Sequence, residues 1–277
     1  MVTHDELVAL NGDYEVLIAG SDQIWNADYN EGFDGAYYLS FAGNNTKSFA
    51  YAASCGIESF YEAEIPLVID LLNKMDGISV RESMMIPMLS SLGIDNANLV
   101  LDPVLLVDKS AWASLLKTCE RIIKDRYLLI YILEEDTGLA VDHACKIADY
   151  LNLKTVMVSF GHLWSNDRRV DYYLKYQNPI KFLNLMYNAD YVVTNSFHGM
   201  AFSIVFNKQF FAFERKKYNS RLESLSKLFH LENRLVSSNE DFNLLFDQSN
   251  GIDYSEVNNL LENMKKQSEI FLNQIVE

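Results

Sequence analysis

The run Tyr191-Val192-Val193-Thr194-Asn195-Ser196-Phe197-His198-Gly199 decides the fold. Three apolar, strand-forming residues lead into Asn195 and Ser196, each a good N-cap for a helix beginning near Gly199. A short buried strand feeding a capped helix is the repeating unit of a parallel α/β sheet. Such sheets bind ligands beyond the carboxyl ends of their strands. His198 falls at that helix mouth, where free backbone N–H groups and the positive end of the dipole favour a phosphate or carboxylate. There it can donate a hydrogen bond to an anion or a proton to a reacting carbon. The plain alternative is a histidine that caps its own helix with no ligand.

A second polar segment, Gly20-Ser21-Asp22-Gln23-Ile24-Trp25-Asn26, follows the apolar run Tyr14–Ala19 in the same way. Asp22 can serve as a base toward a hydroxyl, Gln23 and Asn26 can hydrogen-bond sugar hydroxyls, and Trp25 can pack on a sugar face. The alternative is a Ser/Asp-capped helix start with Trp25 in the core.

The rest of the chain alternates in the same rhythm. Glu15–Ala19, Ser48–Ala52, Gly77–Val80, Leu99–Leu101, Tyr127–Leu133, Thr155–Ser159, Tyr191–Thr194 and Gln209–Phe213 read as strands. Glu64–Lys74, Met84–Leu92, Leu139–Leu151, Ile180–Asn188, Gly199–Phe206 and Leu222–Phe229 read as helices. This implies an α/β fold with parallel sheets and right-handed crossovers. A chain of 277 residues can form two domains. The boundary is expected near Thr118–Asp125, giving domains 1–122 and 123–277, the second carrying a long terminal helix over Glu256–Ile275. Few strands precede that boundary, so the first domain reads as short.

Composition narrows the function. A net charge of -15 argues against nucleic-acid binding, which needs a basic face. An anionic substrate would need local cations and helix N-termini to reverse the overall field. No apolar run approaches the roughly 20 residues that span a bilayer, and Met1–Asn11 lacks the features of a signal peptide. With Cys55, Cys119 and Cys145 widely spaced, the chain reads as cytoplasmic, with reduced thiols and no zinc site. His143 and Cys145 share a helical pattern that a buried Cys beside a surface His explains without a metal. Asp167-Arg168-Arg169 after Trp164 reads as a solvated loop. Nucleophile-elbow, phosphate-loop and zinc-helix motifs are absent.

The two polar segments belong to an ordered set. Gly20-Ser-Asp-Gln-Ile-Trp-Asn26, Tyr51-Ala-Ala-Ser-Cys-Gly56, Ser79-Val-Arg-Glu82, Leu101-Asp-Pro103, Thr194-Asn-Ser-Phe-His-Gly199 and Asn219-Ser-Arg221 occur in the order seen in polysaccharide pyruvyl transferases. The chain resembles that family over roughly residues 14–235. The resemblance implies a GT-B-like fold of two Rossmann-like domains facing across a cleft, acceptor on the first and donor on the second. It also implies an incomplete N-terminal domain, since the family places a further strand and glycine-rich turn ahead of Gly20.

The implied activity moves the pyruvyl unit of phosphoenolpyruvate onto two hydroxyls of a sugar as a ketal, without a cofactor or metal. The sugar would belong to a cell-surface polysaccharide or its lipid-linked precursor. The family's His-Gly motif maps onto His198 and Gly199, so the resemblance implies that His198 contacts the donor. Ser196 and Phe197 complete that segment. Arg81 and Arg221 match family positions and become candidates for the donor's carboxylate and phosphate. A surface salt bridge is the other reading of both, and the plainer one for Arg221. Ser196 stands where several family members carry an arginine, so the donor's cation would come from elsewhere. Ser21, Gln23, Trp25 and Asn26 are the acceptor candidates, with Asp22 as base and His198 as acid. Two alternatives stay open: a GT-B glycosyltransferase using a nucleotide sugar, and a catalytically silent binding or assembly subunit. An exposed sheet edge in a short first domain would favour association with another chain, a second copy included.

Overall fold

The structure is a computed structural model that describes residues 4–10, 12–133, 138–159, 169–175, 177–215, 217, 219–237, 246 and 251–276. Trp164, Asp167 and Arg168 lie outside the described residues. The chain forms two compact units, Met1–Leu106 with Leu261–Glu277, and Val107–Leu260.

The first unit holds α1 (His4–Val8), β1 (Val16–Ala19), β2 (Lys47–Ala53), α2 (Ile65–Leu72), β3 (Gly77–Val80), α3 (Met85–Ser91), β4 (Ala97–Leu99) and α4 (Pro103–Leu106). Its four strands pair in parallel in the order β1-β2-β3-β4. The alternation of side chains along β2 sends Ala50 to one face and Phe49 and Tyr51 to the other. On the first face Ala50, Ile78 and Val80 meet Val68 and Leu72 of α2 and Met85 and Leu89 of α3.

The second unit holds α5 (Lys109–Leu115), β5 (Tyr127–Tyr131), α6 (Gly138–Leu151), β6 (Lys154–Ser159), β7 (Tyr172–Lys175), α7 (Pro179–Asn188), β8 (Tyr191–Thr194), α8 (Phe197–Val205), β9 (Gln209–Phe213), α9 (Ser220–Leu228) and β10 (Leu235–Val236). All six strands are parallel, and from one edge they run β7-β6-β5-β8-β9-β10. Strand order reverses between β5 and β8, the switch point at which doubly wound sheets open a crevice for ligands. The last helix, α10 (Tyr254–Val276), contributes its later turns to the first unit. There Phe271 and Ile275 cover Phe49 and Tyr51, and Ser268 Oγ accepts from Leu101 N at 2.8 Å.

Several expectations change. Residues 107–122 fall in the second unit, in place of a boundary at 122. Trp112 of α5 packs edge-on against Phe202 of α8 at 5.3 Å, and Lys109 Nζ donates to Phe206 O at 3.2 Å. The terminal helix, assigned from sequence to the second domain, is divided between the two. No helix follows Ser21-Asp22. Turns carry the chain from Gln23 to Gly32, because Asp22 O accepts from both Ile24 N and Ser54 N and ties the segment to the sheet. His143 and Cys145 exchange their expected places: His143 is buried and stacks on Phe213 at 5.8 Å, while Cys145 is half-buried.

Candidate functional site

In the first unit the polar residues gather at the carboxyl ends of β1, β3 and β4 around one guanidinium. Arg81 Nη1 donates to Asp102 Oδ2 at 2.7 Å and to Ser21 Oγ at 3.2 Å. Its Nη2 reaches Asp22 Oδ1 at 3.1 Å and its Nε reaches Glu82 Oε1 at 3.2 Å. Ser21 Oγ in turn donates to Asp102 Oδ2 at 2.8 Å. Burial alone would lower the Arg81 pKa, but Glu82, Asp102 and Asp22 outweigh it and push the value up, so the side chain stays a cation. Three members of this cluster are sealed in, whereas the Asp22 side chain is 62% exposed. Asp22 is thus the carboxylate that the cluster presents to solvent. Its φ of 109° is a strained value for a residue with a Cβ, and the parallel bridge to Ala53 holds it there.

The support beneath Asp22 is also specified. Ala52 adopts φ 52° at a bulge in β2, and Ser79 Oγ spans that bulge by accepting from Ala52 N and donating to Ala50 O. Gly56, at φ +64°, lets Gln23 close over it, since a Cβ there would sit 1.9 Å from Gln23 Oε1.

These contacts revise the expected acceptor and donor sets. Arg81 is enclosed by carboxylates and is not presented to an anionic donor. Trp25 is a core residue: it stacks on Tyr38 at 5.3 Å and its Nε1 donates to Tyr37 O at 3.1 Å, so it offers no face to a sugar. Asn26 is likewise buried, donating to Gln23 Oε1 at 2.9 Å and accepting from Asp28 N at 3.0 Å, which shapes the turn. Ser21 and Gln23 remain half-exposed beside Asp22. Asp102 does two jobs. Its Oδ2 anchors Arg81 and Ser21, and its Oδ1 accepts from Val104 N at 3.0 Å at the start of α4. With Glu82 it was missed as a site residue although both lie within quoted motifs.

In the second unit the candidates meet at the β5/β8 switch point. Thr194 Oγ1 donates to Tyr131 O at 2.6 Å and accepts from Ser196 N at 3.0 Å. Asn195 Oδ1 accepts from Leu133 N at 2.8 Å, pinning the end of β5 to the start of α8. Ser196 is the N-cap that was expected, its Oγ accepting from Gly199 N at 3.4 Å. Gly199 is required because a Cβ would lie 2.2 Å from Thr194 Oγ1. Its role, and that of the buried Phe197 side chain, is therefore packing, not side-chain contact with a ligand. Through Tyr191–Met200 every residue is buried except His198, which is half-exposed at the helix mouth. Tyr131, which the sequence did not single out, hydrogen-bonds the Ser196 side chain. Burial pushes its phenol up, against the opposing effect of that bond. Its position at the carboxyl end of a run as apolar as Tyr127–Leu133 was the available signal. Arg221 is buried at the second position of α9, a helix that packs beside α8. Among the described residues no three His, Cys, Asp or Glu side chains form a group able to hold a metal ion, and no helix is long and apolar enough to cross a membrane.

Comparison with solved structures shows the same architecture. The chain is similar to the UDP-GlcNAc 2-epimerase of Methanocaldococcus jannaschii, with a TM-score of 0.62 at 10% identity, covering 99% of this chain and 80% of that one. It is also similar to the UDP-GlcNAc 2-epimerase of Neisseria meningitidis, with a TM-score of 0.56 at 12% identity and coverage of 99% and 81%. At such identities the likeness shows the fold alone: two Rossmann-like units of GT-B type. A search of curated proteins finds no match. A model of the family described as polysaccharide pyruvyl transferase matches residues 4–217. That stretch contains both the Asp22 cluster and the His198 helix mouth, and it exceeds half of the sequence. The chain belongs to the polysaccharide pyruvyl transferase family.

Proposed function

We propose that this transferase moves the pyruvyl group of phosphoenolpyruvate onto two hydroxyls of a sugar, forming a ketal. The acceptor is a cell-surface polysaccharide or its lipid-linked precursor, and the reaction takes place in the cytoplasm. The observation that carries the reading is the exposure of His198 alone in an otherwise buried strand-to-helix segment, within the span that the family model covers. In this reading the donor binds the second unit and the acceptor binds beside Asp22, Ser21 and Gln23 in the first.

The imidazolium of His198 protonates the methylene carbon of the enol, which becomes the methyl group. Positive charge develops at the neighbouring carbon, and the oxygen of one sugar hydroxyl bonds there as Asp22 accepts its proton. The bond to the phosphate oxygen then breaks and inorganic phosphate leaves. The second hydroxyl adds to the same carbon and closes the ketal, releasing its proton. Each turnover consumes one phosphoenolpyruvate and one diol and yields one ketal and one phosphate. Helix N–H groups and a cation at the donor site stabilise the departing phosphate.

Titration of phosphoenolpyruvate into the purified chain by calorimetry tests the donor without knowledge of the acceptor. Saturable binding is expected, weakened in His198→Ala. In a phosphate-release assay with a panel of glycosides, His198→Ala should lose at least about 10²–10⁴-fold in rate. The Neisseria structure was solved with UDP-GlcNAc bound. If UDP-GlcNAc binds here while phosphoenolpyruvate does not, the nucleotide-sugar reading replaces this one.

A further inference from the structure

In the first unit, the segments that leave the carboxyl ends of the adjacent parallel strands β1 and β2 meet at one tyrosine. Tyr61 OH donates to Asp28 Oδ1 at 2.5 Å. Asp28 N donates to Asn26 Oδ1 at 3.0 Å, and Asn26 Nδ2 donates to Gln23 Oε1 at 2.9 Å. Three successive hydrogen bonds thus link the Tyr61 phenol to the residue after Asp22. Backbone turns keep that path compact, with Asn26 N on Gln23 O at 3.2 Å and Tyr29 N on Asn26 O at 3.1 Å. Glu64 N and Ile65 N both donate to Tyr61 O, at 2.9 and 3.3 Å, and fix its backbone at the start of α2. The residue is nevertheless 51% exposed, so the bond at its tip, and not packing, sets the direction of the ring. That bond, then the charge of Asp28, then desolvation and Glu64, push the phenol pKa up, so the hydroxyl remains a donor. Asp28 is exposed as well, and accepting from Tyr61 takes one of the roughly four acceptor positions of a carboxylate.

We infer that Tyr61 and Asp28 form a carbohydrate subsite next to the Asp22 cluster, where the tyrosine ring stacks on a neutral pyranose and the Asp28 carboxylate accepts from its hydroxyls. A ring fixed at its backbone and at its hydroxyl, with half its surface open to water, loses little freedom when a sugar covers it. The segment that carries Tyr61 also holds Glu58, Glu62 and Glu64. Their charge disfavours an acidic sugar and leaves a neutral, hydroxyl-rich one as the fitting ligand. The subsite supplies the aromatic face that Trp25, stacked in the core, does not offer. That the bound sugar is the acceptor of pyruvyl transfer rests on the function proposed above; the stacking itself does not.

An array of immobilised neutral and acidic oligosaccharides, probed with labelled protein in the absence of phosphoenolpyruvate, tests the subsite. Wild type, Tyr61→Ala, Tyr61→Phe and Asp28→Ala are compared, each checked by thermal melting. Wild type should bind a set of neutral glycans. Tyr61→Ala should weaken that binding about tenfold through the lost stack, and Tyr61→Phe, which keeps the ring, should recover part of it. Asp28→Ala should weaken it about ten- to a hundredfold, the range for lost hydrogen bonds to a charged group. Asp28→Ala keeps the test decisive should Tyr61→Ala fail to fold. Wild type that binds no glycan or only acidic ones, or Tyr61→Ala and Asp28→Ala binding as wild type does, overturns the subsite and leaves pyruvyl transfer untouched. Glycan binding lost as expected, in a protein that neither binds phosphoenolpyruvate nor releases phosphate from it, keeps the subsite and removes the pyruvyl-transfer reading.

Discussion

Arg81 and Asp102 meet at 2.7 Å, Nη1 to Oδ2, with side chains 1% and 3% exposed. Breaking a buried pair by removing one partner leaves the other charge uncompensated, at about 3–5 kcal/mol. Arg81→Met should therefore destabilise the protein by about that amount in urea unfolding, since it strands Asp102 and Glu82 together. Asp102→Asn keeps the shape and should cost less. If Arg81→Met unfolds at the wild-type midpoint, the pairing described here is wrong.

Gly56 and Gln23 form a steric lock. In Gly56→Ala the new Cβ displaces the end of the Gln23 side chain and sits at an unfavourable positive φ, together costing about 1–3 kcal/mol. Gln23→Ala removes the clash and leaves only the backbone strain. The double variant should be less destabilised than the sum of the singles by roughly 0.5 kcal/mol or more. Strict additivity would show that the two residues do not touch.

Trp25 separates core from binding surface. Trp25→Phe should keep an aromatic stack on Tyr38 at a cost of about 1–2 kcal/mol, losing the bond to Tyr37 O. Once an acceptor is in hand, its KM should not change in this variant, whereas Gln23→Ala should raise it. A rise in KM for Trp25→Phe at unchanged kcat would return the indole to the acceptor site.

Cys55 gives a pH signature. Burial first, then the charge of Glu82, pushes its thiol from 9.0 to about 12, against weaker hydrogen bonds from the backbone. The unfolded thiol ionises near 9 while the folded one stays neutral, so its contribution is fully present below pH 9. It declines as pH rises toward 12, at about 1.4 kcal/mol per pH unit. The stability gap between wild type and Cys55→Ala should shrink across that window. At pH 8 the native protein should alkylate at Cys119 and Cys145 well before Cys55.

Strands buried by both layers were legible in the sequence. Gly77–Val80, Tyr191–Thr194 and Gln209–Phe213 fall where their apolar runs placed them. Periodicity failed for α4, which is set by Asp102 capping Pro103–Leu106 and not by an apolar stripe, and for β7, whose residues are only half-buried. The placement of His198 and Asp22 beyond the carboxyl ends of β8 and β1 was readable from the apolar runs that precede them. The job of Arg81 was not, because a charged residue in a motif can face a ligand or other side chains. Only the positions of Asp22, Glu82 and Asp102, up to 59 residues away in sequence, decide between the two. Trp25 was ambiguous for the same reason: its neighbour Tyr38 arrives through a run of turns with no periodic pattern.

The packing of α10 onto β2 sets an order of events during synthesis. Residues 107–260 form a contiguous unit that can acquire its core while the ribosome is still adding the later turns of α10. The earlier-made sheet of β1–β4 must wait, with Phe49 and Tyr51 uncovered, until Phe271 and Ile275 have been translated. Of the two units, the one whose strands are made first is therefore the one whose core closes last.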